Sequence, residues 1–211
     1  ASGSEWMRIL NTGNVGIGQV SPSSKLDITT AGLAVTQTTS SGLALVNTTA
    51  ATAIAPQQIS PALRWSGFGW KTDAVAASQA VDFRAFVTPV QGTANPTGYL
   101  GFGSSVNGGA YSDNQLVITT AGNVGIGTTG PVSKLSVQAD NVGATDLGQI
   151  LVTGNTNSNK RLSLGFETGS NYGFIQSLIS GTSYNNLSLN PSGGNVGIGT
   201  TDPTNGFASY S

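Results

Sequence analysis

The stretch Gly13-Asn14-Val15-Gly16-Ile17-Gly18 occurs three times in this chain. The same six letters return at residues 122–127 and again at residues 194–199. The residues behind the first two copies also repeat, since a proline and then Ser-Lys-Leu follow each block at the same distance. The third copy keeps a nearby proline but loses the Lys-Leu pair. A block that recurs with its flanks indicates one structural unit used several times along the chain.

Alternation within the block predicts a short strand with two different faces. Val15 and Ile17 share one face, while Gly16 and Gly18 leave the other almost bare, which suits close approach of another backbone. Two apolar side chains on so narrow a ribbon need partners, and sister chains around a symmetry axis supply them most simply. The residues predicted to pack toward that axis are Val15, Ile17, Val124, Ile126, Val196 and Ile198. The predicted close-approach glycines are Gly16, Gly18, Gly125, Gly127, Gly197 and Gly199.

The composition narrows the classes of function. Charged residues make up 8% of the 211 residues and the net charge is −1, which gives no basic footprint for nucleic acid or an anionic membrane. No apolar run reaches the length of a membrane span. The absence of cysteine and histidine excludes disulfides, Ser-His-Asp and Cys-His catalysis and the usual zinc ligands. With few charges, the surface is expected to be neutral and hydrated, as in extended β fibres and in proteins that contact carbohydrate.

Short β-branched or alternating runs between Gly, Asn, Ser and Pro predict an all-β fold. Residues 74–80 are the single candidate for a helical turn. The three blocks divide the chain into five segments, which are repeat 1 at 1–31, a β module at 32–115, repeat 2 at 116–139, a smaller β module at 140–188 and a truncated repeat 3 at 189–211.

Both modules are predicted to be small and sandwich-like. In the first, a buried strand is expected at 43–46, Leu63 and Trp65 alternate in a second strand, and Phe86 breaks the alternation of a third. Asn107-Gly108 is the strongest hairpin signal. In the second module, strands are predicted at 150–152, 162–166, 172–179 and 187–189. Four strands make a thin sheet, so its edges are expected to need a neighbouring chain.

Two weaker patterns point to chemistry. Residues 125–130 match the dinucleotide fingerprint G-x-G-x-x-G, but a proline follows where a helix has to begin, so we interpret them as a turn. Asp73 and Asp82 are the nearest approach to the carboxylate pair of a glycosidase. We interpret them instead as solvated charges that balance Lys71 and Arg84. No catalytic residue, metal site or cofactor is expected.

Three aromatic residues, Trp65, Phe68 and Trp70, are the candidate ligand-binding residues. Exposed, such rings are flat apolar platforms for the faces of sugars, whereas buried they form the core of the first module. Alternation with Leu63 favours a core position for Trp65. Trp70 lies between glycine and lysine, which favours an open position.

The repeated block, followed by Thr-Thr-x-Pro and Lys-Leu, resembles the shaft repeats of bacteriophage tail fibres and related receptor-binding appendages. Residues 161–201 look especially similar to these fibres, and residues 61–118 resemble a module found between such repeats. In that family the repeats often precede an intramolecular chaperone domain of the endosialidase type with a self-cleaving serine. No such domain follows the third copy, so the chain is expected to be a fragment or a processed form.

The resemblance implies a homotrimeric, elongated β fibre in a virion, outside the cell and in contact with other tail or fibre proteins. The expected function is a structural and adhesive segment that positions or provides attachment sites for a host-surface glycan. Neither nucleic acid nor membrane insertion is expected. One alternative is a trimeric polysaccharide depolymerase with a cleft lined by Asp73, Asp82 and Trp70, and another is a spacer that binds nothing. Bacterial surface proteins also carry such repeats, so a bacterial source is a further alternative.

Overall fold

The computed structural model describes residues 5–29, 42–140, 148–193 and 195–198, and the backbone alone of 207–209. Strands, turns and extended segments account for these residues, and no helix occurs among them, so none is available to cross a membrane. The prediction of an all-β fold is confirmed. The chain divides into two compact units, Ala1–Leu100 with Ser104–Ala110, and Gly101–Gly103 with Tyr111–Ser211.

The described strands are short in the repeats and longer in the modules. The first eight are β1 (Met7–Ile9), β2 (Val15–Ile17), β3 (Leu26–Ile28), β4 (Leu63–Lys71), β5 (Ala77–Val90), β6 (Thr97–Val106), β7 (Ser112–Thr119) and β8 (Val124–Ile126). The others are β9 (Leu135–Val137), β10 (Ile150–Thr153), β11 (Lys160–Glu167), β12 (Tyr172–Ile179), β13 (Ser183–Tyr184), β14 (Val196–Ile198) and β15 (Phe207–Ser209).

The first repeat folds into a three-stranded sheet in the order β1-β2-β3. β1 and β2 form an antiparallel hairpin in which Ile9 lies opposite Val15, and β3 returns parallel to β2 so that Leu26 also lies opposite Val15. Gly13 and Gly18, on either side of β2, adopt left-handed backbone conformations with φ of 77° and 67°. Since glycine alone enters that region at no steric cost, the two glycines fix where β2 begins and ends.

The second repeat has the same pairing. Val124 lies opposite Ile118 in an antiparallel pair and opposite Leu135 in a parallel pair. Gly122 and Gly127 are left-handed like their counterparts, with φ of 74° and 76°. The same sequence block therefore produces the same local sheet twice.

The third repeat keeps one of the two pairings. β14 pairs in parallel with β15, and Val196 lies opposite Phe207, so a parallel partner is present although the Lys-Leu pair is not. The strand predicted at 187–189 is wrong, because these residues lie outside any strand. The turn that follows, through Asn190 and Gly193, is one residue longer than in the other repeats, and a one-residue change disrupts strand register. Gly199 lies outside the described residues.

The first module centres on the long antiparallel hairpin of β4 and β5, within a sheet ordered β4-β5-β6-β7-β8-β9. The predicted strand at 43–46 is wrong, since these residues are exposed and form no strand, and the predicted turn of helix at 74–80 is instead a bend followed by the start of β5. The Asn107-Gly108 hairpin turn is confirmed, with φ of 53° and 72° at the two residues. Positive φ at both positions is typical of the turn type that joins twisted strands.

The second module is a four-stranded antiparallel sheet in the order β10-β11-β12-β13. Its first three strands lie where the sequence predicts them, while the fourth is Ser183–Tyr184. The described strands of each module belong to a single sheet, whereas a sandwich-like module would have two facing sheets.

Few apolar side chains are buried. Among the described residues, Phe86, Val117 and Leu178 are the buried large apolar side chains, whereas many others are exposed on strands of every sheet. The guanidinium of Arg84 lies 4.7 Å from the centre of the Phe86 ring, which accounts for this aromatic residue on the polar side of β5. The described strands therefore carry apolar faces that no other described residues cover.

Candidate functional site

Each complete repeat presents six apolar side chains on one face of its small sheet. In the first repeat the strand registers align Met7 with Ile17 and Ile9 with Val15, and Val15 and Ile17 with the two apolar residues of β3. Residues opposite each other in neighbouring strands point to the same side. The six residues of this face, the repeat-1 face, are Met7, Ile9, Val15, Ile17, Leu26 and Ile28.

The second repeat has an equivalent face, the repeat-2 face, formed by Leu116, Ile118, Val124, Ile126, Leu135 and Val137. On both faces the side chains are exposed or half-buried, and Ile126, at the centre, is 44% exposed. The predicted sharing of one face by Val15 and Ile17, and by Val124 and Ile126, agrees with these registers. The sequence pattern alone missed the four further residues on each face. In the first repeat they come from β1 and β3, and in the second from β7 and β9.

The opposite face of each repeat is covered by the chain itself. Gly16 and Pro22 are buried there in the first repeat, as are Gly125 and Pro131 in the second. A Cβ atom at Gly16 would overlap the carbonyl oxygen of Gln19, and one at Gly125 would overlap that of Thr128. The segment joining the two parallel strands therefore lies directly on these glycines.

Gly18 and Gly127 also lie against their own chain. A Cβ atom would overlap the carbonyl oxygen of Thr29 at Gly18 and that of Gln138 at Gly127. A backbone approaches closely at these glycines, and in the described structure it belongs to the same repeat. Approach of glycines from different copies stays a prediction.

Two polar side chains in each repeat hold the covering segment in place. This segment joins the two parallel strands and comprises residues 18–25 in the first repeat and 127–134 in the second. Asn14 Nδ2 donates to the carbonyl oxygen of Pro22 at 3.2 Å, and Asn123 does the same to Pro131 at 3.2 Å. Lys25 Nζ donates to the carbonyl oxygen of Thr12 at 2.7 Å, and the lysine of the second repeat makes the equivalent bond at 2.8 Å. The constant spacing of asparagine and lysine was visible in the sequence, but their role became clear from the fold.

The repeats differ in one ionisable group. In the first, the Asp27 carboxylate accepts hydrogen bonds from the backbone N–H and the hydroxyl of Ser23, at 3.0 and 3.2 Å. These bonds, the backbone one first, lower the pKa of Asp27 below its ordinary value, because they favour the charged form. In the second repeat Ser136 occupies this position, and its hydroxyl accepts from the Ser133 backbone N–H at 3.3 Å.

The three candidate aromatic residues lie on different faces of the β4–β5 hairpin. Trp65 lies opposite Phe83, while Phe68 and Trp70 point to the other side, opposite Ala80 and Ser78. The prediction of a core position for Trp65 is wrong for the described chain, since this side chain is 53% exposed. Alternation gave its face correctly, but no second sheet covers that face among the described residues.

Phe68 and Trp70 are the more open pair, at 78% and 68% exposed. Their cross-strand neighbours are small, which leaves both rings room to lie over the sheet. Beyond Trp70 the chain turns, and Lys71 and Asp73 form an ion pair of 2.8 Å there. The result is an exposed aromatic surface beside a locally neutralised turn.

The two carboxylates considered for a glycosidase have separate structural environments. Asp73 is exposed, pairs with Lys71 and accepts a hydrogen bond from the Val75 backbone N–H at 3.0 Å, in agreement with a solvated turn charge. Asp82 was expected to be solvated on its strand face, and this is wrong because the residue is buried. Among the described residues, no group of three or more acidic side chains is arranged to hold a metal ion.

No protein-family model matches the chain, and a search of the curated proteins found no significant match.

Proposed function

We propose that the chain is a homotrimeric structural and adhesive segment of a fibre, whose repeats assemble through the repeat-1 and repeat-2 faces. One observation carries this proposal: both complete repeats cover one side of their sheet with their own chain and leave six apolar side chains open on the other. An apolar face repeated at intervals along a chain fits parallel copies wrapped about a common axis.

Burial of the repeat-1 and repeat-2 faces would release enough free energy to drive assembly. Fully burying one large aliphatic side chain contributes about 1.5–3 kcal/mol, so covering six that are roughly half-exposed contributes on the order of 5 kcal/mol per face. Single exposed apolar residues are ordinary, but clusters of this kind mark interaction surfaces. The described residues leave both faces uncovered, so association with another copy would gain this energy.

The number three and the setting rest on the resemblance of the repeats to phage tail-fibre shafts. On that basis the proposed location is the virion, outside the cell, with other tail or fibre proteins as partners. The proposed mechanism is positioning, without catalysis, of surfaces that contact the host.

Single-cysteine cross-linking tests the assembly, since the native chain has no cysteine. Ile126→Cys places a thiol at the centre of the repeat-2 face, near the proposed axis, where identical residues of neighbouring copies meet. A short bismaleimide is expected to join two of the three thiols, so that denaturing gels show linked dimers and single chains but no linked trimer.

Val132→Cys is the matched control, because Val132 is 95% exposed in the covering segment of the same repeat, away from the apolar face. It is expected to remain uncross-linked. Equal cross-linking of both variants, or none with Ile126→Cys, would contradict assembly through this face.

Attachment to a neutral host glycan through Phe68 and Trp70 is the second proposed activity. Two open rings beside small neighbours are suited to stacking on sugar faces, and the low charge of the chain suits a neutral ligand. Three copies in one fibre would multiply a weak single-site affinity through avidity.

Glycan-array binding tests this activity. Trp70→Ala is expected to abolish array binding with the solution mass unchanged, since Trp70 is not a residue of the repeat-1 or repeat-2 face. Val75→Ala is the control, because it removes an exposed apolar side chain from the neighbouring turn. Loss of binding in both variants, or in neither, would contradict a stacking site at Trp70.

A further inference from the structure

The β4–β5 hairpin carries another apolar face, the hairpin face, on the side away from Phe68 and Trp70. Its residues on β4 are Leu63, Trp65, Gly67, Gly69 and Lys71, which lie opposite Ala85, Phe83, Val81, Gln79 and Ala77 of β5. The directly opposed rings of Trp65 and Phe83 are about equally open, at 53% and 52% exposed. The charged residues of both strands between these positions lie on the other side of the hairpin.

A hollow of about 450 Å³ lies on the hairpin face. Its lining consists of Trp65, Gly67, Gly69, Val81 and Phe83 of this face, together with Ser66 and Phe68 of β4. A Cβ atom built on either glycine would meet no atom within 4 Å. Among the described residues, therefore, none occupies the space next to these two glycines.

No contact with the described residues of their own chain explains these two glycines. Glycine inside a strand costs roughly 0.5–1 kcal/mol relative to alanine. In the repeats glycine is needed despite this cost, because a Cβ atom at Gly16 or Gly125 would overlap a carbonyl oxygen. At Gly67 and Gly69 no such overlap exists, and φ is not positive at either. Strand glycines of this kind mark places where another backbone or a ligand comes close.

We propose that an apolar side chain from a second copy of this chain fills the hollow, so that the hairpin face is a further interface between copies. This inference rests on the proposed homotrimer. A protein partner fits better than a sugar, because Gln79 and Lys71 are the two polar side chains among the ten residues of the face, and Lys71 is paired with Asp73 at its end. Sugar sites need several polar groups that fix orientation, whereas an apolar hollow is filled well by an apolar side chain.

The size of the face also favours a second copy over a separate partner. Two aromatic side chains of this kind bury about 150–250 Å² each, so the half-exposed pair offers on the order of 200 Å². A stable interface needs roughly 800 Å² on each side. The hairpin face alone is too small, but it suffices as part of an assembly that the repeats already hold together.

Variants with one tryptophan test the proposal, since the chain has three, Trp6, Trp65 and Trp70. Trp6→Phe with Trp70→Phe leaves Trp65, and Trp6→Phe with Trp65→Phe leaves Trp70 as the matched probe on the opposite face. Acrylamide quenching and light scattering are measured on the same samples. We expect assembled protein in which quenching of Trp65 is several-fold weaker than that of Trp70, with blue-shifted Trp65 emission.

The outcomes separate this inference from the proposed function. Assembled protein in which Trp65 is quenched as readily as Trp70 would overturn the hairpin interface and leave assembly through the repeats intact. A monomer would overturn both. Protection of Trp65 that arises only after a neutral oligosaccharide is added would overturn the second copy as occupant and identify a sugar site.

A substitution at Gly67 supplies an independent measurement. Gly67→Val fits the open space of the single chain, so the strand content by circular dichroism is expected to stay unchanged, while the concentration for half-assembly rises about tenfold or more. Gly130→Val is the control, since a Cβ atom at Gly130 would also meet no atom within 4 Å, but this residue lies in repeat 2, outside the face. Unchanged assembly of the Gly67 variant would overturn the proposal.

Discussion

The glycines of the repeats and those of the β4–β5 hairpin look alike in sequence but have different surroundings. Gly125 lies beneath its own chain, where a Cβ atom would overlap the carbonyl oxygen of Thr128. Gly67 and Gly69 alternate in the same way along a strand, yet face open space. A glycine pattern therefore has two physical origins, one within the fold and one outside it. The first type is expected to control folding of the chain, and the second to control association.

Gly127→Ala is expected to have the largest effect. The substitution forces a Cβ atom onto the carbonyl oxygen of Gln138 and into a left-handed conformation with φ of 76°. Left-handed strain costs about 1–2 kcal/mol and overpacking about 1–3 kcal/mol, so the free energy of unfolding is expected to fall by roughly 3 kcal/mol or more. Denaturant unfolding at fixed protein concentration measures it.

Gly108→Ala separates the cost of left-handed strain from the cost of steric overlap. Gly108 has φ of 72°, but no atom lies within 4 Å of a Cβ built there. A loss of about 1–2 kcal/mol, from strain alone, is expected there. Equal losses in the free energy of unfolding at Gly108 and Gly127 would show that overlap with Gln138 adds nothing to the cost of the left-handed conformation.

Gly125→Ala is expected to come next in size. Backbone φ is not positive at Gly125, so the cost arises from overlap with Thr128 and from the methyl group of Val117, 3.0 Å from the built Cβ. We expect a loss of about 1–3 kcal/mol in the free energy of unfolding, read from the same denaturant curves. Gly130→Ala, in open space in the same repeat, should change it by less than about 1 kcal/mol. A similar loss in both would show that buried repeat glycines have no special role.

The side-chain bond that holds the covering segment is expected to have a smaller effect. Asn123→Ala removes the hydrogen bond to the carbonyl oxygen of Pro131 and is expected to cost about 1 kcal/mol in thermal unfolding. Asn155→Ala, in an exposed turn of the second module, is the control and should leave the melting temperature nearly unchanged. No difference between the two variants would mean that the Asn123 side chain does not help to hold the covering segment.

The smallest predicted effect distinguishes the two repeats by pH. Because its folded-state pKa is lowered by hydrogen bonds from Ser23, Asp27 stabilises the first repeat above the ordinary pKa of an aspartate. That contribution is lost as the pH falls through the lowered pKa. Carboxyl chemical shifts of Asp27 in an NMR titration are expected to give a pKa below the ordinary value.

Asp27→Ser, which copies Ser136 of the second repeat, should make the acid stability of the first repeat independent of this group. An ordinary pKa for Asp27, or acid sensitivity unchanged by the substitution, would show that its bonds to Ser23 do not form in solution.

The sequence predicted the local parts of this fold well. Alternation placed Val15 and Ile17 on one face, and the Asn107-Gly108 turn was found because positive φ at two successive residues requires such residue types. The parallel return of Leu26 beside Val15 was missed. Its crossover, residues 18–25, is shorter than the dozen or more residues that parallel strands usually need, so no local pattern indicated it.

Two of the errors, the buried strand at 43–46 and the core position of Trp65, have one physical cause. Residues 43–46 and Trp65 were assigned to a core because apolar alternation indicates which face is apolar, but not what covers it. In the described chain both are exposed. A sequence that closes its core within one chain and one that closes it between copies have the same local pattern.

The solution mass of the unmodified chain tests assembly through the apolar faces most directly. Multi-angle light scattering on the 21.2 kDa chain is expected to give three times that mass, with no lighter species at micromolar concentration. A folded species at 21.2 kDa would contradict it, because the repeat-1 and repeat-2 faces would then be stable in water without a partner.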